Sequence, residues 1–320
     1  VANLAISIKN RLAIVTLIFV LTVTYNEYIA YEIESLHWAY RNCADCTKIL
    51  LVADPQILGI KNENYPGSSL AIWDSDSYLK KTFSRALRHS QPHVIAFLGD
   101  LMDEGHIAPA EHFEKYKRRF DDIFQTSDNK IYLPGDNDIG GEEDSVSSHI
   151  SDRFEFTYSQ PDTLIYKTPN DAFLNDYAER NTTNIVLSHM PLLFSPGIKK
   201  LSPQLIFTAH DHKLSDIQIL PPHENRLYQL RLDIGDIHEI QIPTCSYRMG
   251  TPHIGYGVAY VDTQEKTVEF TILWQPNRFV QLLIYHVVGV ILLILSIFFV
   301  FGCACRVTSS HIVYARVPNL

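Results

Sequence analysis

The stretch that decides the fold is LLVADPQILG, residues 50–59, in which an apolar segment runs directly into Asp54 and Pro55. The segment Ile49–Val52 predicts a short buried strand, because four apolar residues are followed by turn-forming residues. Beyond it, residues 75–89 carry apolar side chains at helical spacing, which predicts an amphipathic helix. A strand with a polar residue at its carboxyl end, followed by a helix, is typical of α/β folds.

The same design recurs four times along the chain. Strands are predicted at residues 94–98, 131–133, 185–187 and 205–207, and a second amphipathic helix is predicted from Pro109 to Phe124. In open α/β sheets, binding sites form at the carboxyl ends of the strands. The five strands therefore bring together their terminal groups, which are Asp54 with Gln56, Asp100, Asp136 with Asn137, His189, and His210 with His212.

After residue 213 the apolar pattern changes to a period of two, which predicts antiparallel strands. These strands are predicted at residues 217–220, 228–232, 240–242 and 268–272. The predicted fold class is α/β, with a β-sandwich that the second set of strands completes and helices that flank it.

The residue types at the strand ends favour a metal site. Carboxylate and imidazole ligands suit divalent Mn, Fe or Zn, and a shared carboxylate allows two ions to sit about 3.5–4 Å apart. Taken singly, each group has an ordinary structural explanation as a helix cap, a turn or a core histidine. The order of five such strand ends along one chain favours a site for phosphoester hydrolysis.

Five segments carry a resemblance to a known family. LLVADPQILG, FLGDLMDEG, GDNDIGGE, LSHMPLL and TAHDH succeed one another as in the calcineurin-like metallophosphoesterases, over residues 48–262. Together with HEIQIPTCSYRMG before a final apolar span, they resemble the membrane-bound group that remodels glycosylphosphatidylinositol (GPI) anchors. The resemblance implies a luminal phosphodiesterase that removes an ethanolamine-phosphate side branch from the GPI glycan and supports endoplasmic reticulum (ER)-to-Golgi transport of GPI-anchored proteins.

The resemblance also implies two sets of metal ligands and the catalytic residues Asn137 and Asp100. One metal is expected on Asp54, Asp100 and His212, with Gln56 where the superfamily usually has His. The second metal is expected on Asp100, Asp136, His189 and His210, so that Asp100 belongs to both ligand sets. Two manganese ions are expected, with zinc or iron as alternatives.

Three positions depart from the superfamily pattern. Asp136 stands where Asn is usual, and a carboxylate is the stronger ligand. Gln56 is a poorer ligand than imidazole, so the first metal is expected to bind less tightly. Asn137 replaces a His that stabilises the transition state or protonates the leaving oxygen. An amide donates a hydrogen bond but cannot transfer a proton, and loss of general acid help costs about 10²- to 10⁴-fold in rate.

Three hypotheses about function stay open on the sequence. The first is a working phosphodiesterase that acts on the glycan of GPI-anchored proteins. The second is a degenerate family member that binds metal or GPI-anchored cargo without turnover, which the residues Gln56 and Asn137 motivate. The third is a phosphoesterase that acts on a nucleotide, a lipid or a phosphoprotein.

A nucleic acid partner is not expected, because 27 basic against 36 acidic side chains give a formal net charge of -9.

The two ends of the chain are predicted to be membrane segments. Residues 279–305 contain no Lys, Arg, Asp or Glu and predict a transmembrane helix. Residues 1–26 predict either a signal anchor or a signal peptide. Because basic residues flank the cytosolic side of a span, both termini are expected in the cytosol of an ER-to-Golgi membrane protein. The luminal domain is then residues 27–278, and the cytoplasmic tail is 306–320.

Two further features fit an oxidising lumen. Asn181, in Asn181-Thr182-Thr183, is a predicted glycosylation acceptor. Cys43 and Cys46 are spaced to close a small disulfide, whereas no thioredoxin-like strand and helix surround them to support a redox role.

Overall fold

Two β-sheets and their flanking helices form the larger of the two units into which the chain divides. The structure is a computed structural model that describes residues 2–141, 145–158, 185–195, 198, 203–212, 215–216, 225–232, 237–262 and 264–311. The larger unit is Glu34–Asn277, and the smaller unit contains the described residues up to Ile33 and from Arg278 onward.

The described strands form a six-stranded sheet of order β3-β2-β1-β9-β10-β7 and a four-stranded sheet of order β4-β5-β8-β6. Strands β1, β2 and β3 are parallel to one another, and so are β4, β5 and β8. The strands are β1 (Thr47–Val52), β2 (Val94–Phe97), β3 (Asn129–Tyr132), β4 (Ile185–Leu187), β5 (Leu205–Thr208), β6 (Ser215–Asp216), β7 (Tyr228–Arg231), β8 (His238–Gln241), β9 (Gly255–Asp262) and β10 (Thr267–Trp274).

The described helices lie before, between and after these strands. They are α1 (Ala2–Thr24), α2 (Ala30–Leu36), α3 (Ser68–Ser90), α4 (Ala110–Ile123), α5 (Asp136–Ile139), α6 (Ser148–Tyr158) and α7 (Arg278–His311). A π-helical turn, Tyr25–Ile29, joins α1 to α2, and a 3₁₀ turn covers Tyr247–Met249. Both amphipathic helices predicted from apolar spacing are present as α3 and α4.

The prediction of an α/β fold with a central sheet is confirmed, and all five strands that precede ligand-type residues are present. The prediction for residues 240–242 was partly wrong: β8 pairs antiparallel with β6 but parallel with β5. Strand β9 escaped prediction because its sequence GYGVAYVD is buried over nearly its whole length and lacks a period of two. The strand predicted at 217–220 lies outside the described residues.

The core of the larger unit has two main apolar clusters. One is rich in aromatic rings and packs α3, α4 and α6 against the six-stranded sheet, with Phe97 in contact with Phe120, Phe124 and Tyr132. The other contains residues of both sheets, as in the contact between Phe207 and Phe270. The shared apolar cluster fixes the two sheets relative to one another.

Two contacts join the carboxyl ends of the two sets of parallel strands. The Nδ1 atom of His189, just after β4, lies 2.8 Å from the carbonyl oxygen of Leu98, just after β2. Ala53, which follows β1, forms an isolated bridge with Thr244, which follows β8. The strand ends of both sheets therefore meet at one place, and the polar groups that follow them converge there.

The smaller unit contains helices that are long and apolar enough to cross a membrane, by length and composition. These spans are Asn10–Leu36 and Arg278–Phe299. The first lies near the amino terminus, where a signal sequence has the same length and composition. Only 6% and 0% of the residues in their apolar windows are buried.

A buried polar cluster joins the two helical segments within this unit. The side-chain amides of Asn26 and Gln281 each donate to the other residue's backbone carbonyl, at 3.3 and 3.0 Å. Arg278 donates to Glu27 at 3.0 Å and to the side chain of Gln281 at 2.9 Å. The π-helical turn thus carries the side chains that pair with the start of α7.

Cys43 and Cys46 form a disulfide, as the sequence allowed. The predicted acceptor Asn181 lies outside the described residues, as does the predicted tail from residue 312 onward.

Candidate metal centre

The loops at the strand ends have an unusual backbone. Among the described non-glycine residues, seven have positive φ, and five of these are predicted metal ligands: Asp54 (46°), Gln56 (40°), Asp100 (52°), His210 (74°) and His212 (59°). A left-handed conformation costs about 1–2 kcal/mol for a residue with a Cβ. Such strain persists where the surrounding structure enforces it and is concentrated at functional sites.

Two glycines allow the loops to approach one another. A Cβ added to Gly99, whose φ is +97°, would lie 2.5 Å from Nδ1 of His189. A Cβ added to Gly135 would lie 2.1 Å from Oδ1 of Asp100. No side chain fits at either position, so the Gly-Asp pairs at these strand ends serve close packing as well as turning.

The first group of candidate ligands consists of Asp136, His189 and His210. Oδ1 of Asp136 lies 3.0 Å from Nε2 of His189 and 3.2 Å from Nδ1 of His210. The two imidazole nitrogens are 3.3 Å apart. Three potential ligand atoms therefore face one small space.

The second group consists of Asp54, Asp100 and His189. Oδ1 of Asp54 lies 3.7 Å from Nδ1 of His189, and Oδ1 of Asp100 lies 3.5 Å from Nε2 of the same ring. Asp54 is fully buried, and its Oδ2 atom has no hydrogen-bond partner among the described residues. A buried carboxylate oxygen without a partner is costly unless it binds a cation.

Gln56 and His212 lie beside the second group. The Nε2 atom of Gln56 donates to Oδ2 of Asp100 at 2.9 Å and lies 3.3 Å from Nε2 of His212. Neither residue belongs to the groups of closely spaced ligand atoms, but Gln56 contacts the carboxylate of Asp100 and His212 contacts Gln56.

Asn137 contacts the same carboxylate. Its side-chain amide donates to Oδ2 of Asp100 at 2.7 Å, and its backbone N–H donates to Oδ1 at 3.0 Å. The structure therefore brings together all eight residues predicted for the site: Asp54, Gln56, Asp100, Asp136, Asn137, His189, His210 and His212.

The electrostatics of this group favour a bound cation. Burial, opposed by the charge of His189 and assisted by that of Asp100, raises the pKa of Asp54 to about 8. Burial works to raise the pKa of Asp136 too, but hydrogen bonds from His189 and His210 outweigh it and hold that pKa well below its usual range. Burial lowers the pKa of His189, yet the nearby carboxylates, Asp100 first, raise it to about 10. Divalent ions neutralise such carboxylates, so the donor set fits them.

Two supporting carboxylates were not predicted from the sequence. Asp138 accepts hydrogen bonds from the backbone N–H groups of Leu101 (3.0 Å), Met102 (3.1 Å) and Gly135 (3.0 Å), and so joins two ligand loops. Burial, with the charge of Asp100, raises the pKa of Asp138 to about 7. Asp138 belongs to the segment GDNDIGGE at the end of a predicted strand, so its position in the sequence could have predicted that it lies near the site.

Glu239 on β8 holds the loop that follows His189. Its carboxylate accepts from the N–H groups of Leu192 (3.1 Å) and Leu193 (2.5 Å) and from the hydroxyl of Thr208 (3.2 Å). The glutamate is 8% exposed. No local pattern marks it, because its partners are distant in sequence.

The family of calcineurin-like phosphoesterases matches residues 47–214, more than half of the chain. The chain belongs to this family. Its members are phosphoric ester hydrolases that bind divalent metals, so the predictions of the family, the hydrolase class and metal binding are confirmed at this level.

This calcineurin-like phosphoesterase is similar to proteins named Metallophosphoesterase 1. It is 32% identical to the Metallophosphoesterase 1 homolog of Caenorhabditis elegans over 42% of its own length and 36% of that protein. It is 28% identical to Metallophosphoesterase 1 of Danio rerio over 52% of its own length and 45% of that protein. The aligned part thus spans less than half the length of either relative.

We predict that Asp100→Asn reduces the binding of both metals. Asp100 lies between the other candidate ligands, and an amide is a weaker ligand than a carboxylate. Elemental analysis of the purified variant should find less than half of the wild-type metal. Two tightly held ions per chain in this variant would contradict the central role of Asp100.

We also predict that Glu239→Gln weakens metal binding about 10- to 100-fold, the usual effect of losing a residue that orients a ligand. Glutamine keeps one accepting oxygen, but its NH2 group cannot accept, so the bonds to the Leu192 and Leu193 N–H groups and to the Thr208 hydroxyl cannot all be kept. Titration with metal checks this, and Glu265→Gln, at an exposed turn, is the matched control. Equal metal affinity in the two variants would exclude the positioning role.

Proposed function

We propose that the chain is a metal-dependent phosphodiesterase. The observation that carries the proposal is the buried group of carboxylates and imidazoles at the strand ends, with an Asp54 oxygen that has no partner among the described residues. Two divalent ions bound here would polarise a phosphoryl oxygen and would lower the pKa of a water molecule. Hydrolysis then adds water across the P–O bond, and the leaving oxygen takes up a proton.

The proposed ligands are those that the sequence predicted. Asp54, Asp100 and His212 would hold one ion with Gln56 beside them, and Asp100, Asp136, His189 and His210 would hold the other. In the structure His189 is the residue common to both groups of close ligand atoms. A carboxylate has two oxygens that can serve two ions, whereas a neutral imidazole has a single free lone pair, so Asp100 is the better bridge. Manganese is the expected metal.

Asn137 has the role of a hydrogen-bond donor in this proposal. Both its backbone N–H and its amide are oriented by Asp100, at 3.0 and 2.7 Å. This geometry supports an amide held at the edge of the metal centre, where it can stabilise negative charge that develops on the phosphate. The proton for the leaving oxygen comes from water or another group, because an amide has none to give.

The proposed substrate is the ethanolamine-phosphate side branch of the GPI glycan, carried by GPI-anchored proteins. The support is the resemblance of the quoted segments to the GPI-remodelling group and the similarity to the proteins named Metallophosphoesterase 1. The proposed location is the ER-to-Golgi membrane, with the catalytic domain in the lumen, both termini in the cytosol and Asn181 glycosylated.

We infer that the first apolar segment is retained as a membrane anchor. The buried side chains of Arg278 and Gln281 at the start of α7 bond to Asn26, Glu27 and Tyr31. Signal-peptide removal after residue 26 would take away Asn26 and with it the reciprocal amide pair. Polar groups at a membrane are costly without partners, which favours retention.

The test of activity uses the purified full-length chain, a GPI glycan and a generic phosphodiester, with Mn²⁺, Zn²⁺ or Fe²⁺ supplied. Asp54→Ala should abolish turnover with loss of metal. Asn137→Ala should reduce turnover about 10²- to 10³-fold with nearly unchanged metal content, as for one lost transition-state hydrogen bond. Hydrolysis of neither substrate by the wild type would refute the proposal.

The same experiment distinguishes a working enzyme from a degenerate one. In a degenerate site Asn137→Ala has no effect, and Asn137→His combined with Gln56→His raises the rate. Analysis of anchor glycans in cells that lack the protein distinguishes GPI from other phosphoesters: the side branch should accumulate.

We predict the topology from the same features. Protease added to sealed microsomes should leave residues 27–278 intact and remove epitope tags at both ends. A tag placed before Lys9 should remain attached to the mature chain. Cleavage of the central segment without detergent, or loss of the amino-terminal tag before protease is added, would contradict the two-anchor arrangement.

A further inference from the structure

An exposed apolar surface lies at the amino-terminal end of α3. Its residues are Tyr65, Leu70 and Trp73, which are 46%, 67% and 62% exposed. Leu70 and Trp73 are three residues apart, so they share one face of the helix. These three residues make up the α3 surface. Large apolar side chains grouped on a surface mark sites of contact with proteins or membranes.

The α3 surface lies near the end of the larger unit that leads into α7. The indole of Trp38 donates to the carbonyl oxygen of Trp274 at 2.8 Å, so the first and last segments of this unit are adjacent. The hydroxyl of Tyr78 on α3 donates to the carbonyl oxygen of Pro276 at 2.9 Å, just before α7 begins. Trp73 precedes Tyr78 by five residues, about 7.5 Å along the helix.

The same end of α3 is connected to the metal centre. Asp74, next to Trp73, accepts a hydrogen bond of 2.8 Å from the hydroxyl of Tyr247. Tyr247 follows Thr244 closely in sequence, and the Thr244 hydroxyl donates to the backbone oxygen of the candidate ligand Asp54 at 2.9 Å. Two hydrogen bonds therefore link α3 and the loop of Asp54 to the same short segment, residues 244–247.

We propose that the α3 surface lies in the headgroup layer of the bilayer that α7 enters. The inference rests on the proposed function, in which α7 spans a membrane. The headgroup layer is roughly 5–8 Å thick on each side. Trp and Tyr favour this layer because their rings are apolar and carry a polar group, and Leu70 adds apolar area. The occupant of the surface is lipid, and the metal centre is held next to substrates anchored in the same membrane.

Trp73 provides a direct test by fluorescence. It is the exposed tryptophan of the three in the chain, because Trp38 and Trp274 are each 6% exposed. The full-length chain is reconstituted in phosphatidylcholine vesicles, with and without lipid brominated on the acyl chain near the headgroup. The Trp73 signal is the difference between the wild type and Trp73→Phe. We expect brominated lipid to quench this signal at least twofold and aqueous iodide to have little effect.

Two outcomes of this experiment would overturn the proposal. Quenching by iodide and not by brominated lipid means that the surface faces water. Quenching by neither means that protein covers it, either a second copy of the chain or another partner. Flotation of the protein with the vesicles verifies that the chain is inserted in the membrane.

A second measurement separates the surface from the catalytic site. Leu70→Ser combined with Trp73→Ser should lower hydrolysis of a GPI glycolipid in vesicles about tenfold and leave that of soluble bis(4-nitrophenyl) phosphate unchanged. Phe156→Ser, at an exposed phenylalanine of α6, is the matched control and should change neither rate. Equal glycolipid rates in the double variant and the control would overturn the proposal. If the wild type hydrolyses neither substrate, the proposed function fails, and the fluorescence result alone decides the inference.

Discussion

The structure depends on one constraint: three carboxylates and three imidazoles meet at the strand ends, and Asp54, Asp100 and His189 among them are buried. Burial raises the pKa of Asp54 to about 8, while Asp136 stays ionised beside two imidazoles. Packing such groups together opposes folding unless something offsets their desolvation. The surrounding fold supplies the necessary rigidity, through two sheets joined by a shared apolar cluster. Divalent ions bound here would neutralise the carboxylates, and metal binding would then stabilise the folded chain as well as serve catalysis.

The same constraint explains the backbone of the ligand loops. Left-handed conformations at Asp54, Asp100 and His210 point the chain back over the strand ends rather than away from them. Each costs free energy, and the backbone hydrogen bonds to Asp138 hold the loop that follows Asp100, while those to Glu239 hold the neighbouring loop that follows His189. The supporting carboxylates are therefore part of the site although they offer no ligand atom to it.

The sequence predicted the strand ends well because each is a local pattern: an apolar segment, then a turn, then a ligand-type residue. The remaining features depend on partners that are distant along the chain. The role of Glu239 depends on N–H groups of the loop after β4, and the parallel pairing of β8 depends on β5, so neither has a local signature. Strand β9 was missed because both of its faces are buried, which removes the alternation that marks a half-exposed strand. The α3 surface likewise could not be predicted, because it is defined by the solvent exposure of its side chains, which the sequence does not give.

The two main departures from the superfamily pattern are connected in the structure. Gln56 and Asn137 are far apart in sequence, yet each donates its side-chain amide to the same atom, Oδ2 of Asp100, at 2.9 and 2.7 Å. Amide donors reduce the negative charge on that oxygen without competing for a proton, since they do not titrate. Imidazoles at the same positions would change charge near neutral pH. The two amides therefore act on one carboxylate as a pair, and replacing either alone leaves the other donor in place. Both departures therefore concern the way in which one carboxylate, that of the proposed bridging ligand Asp100, is held.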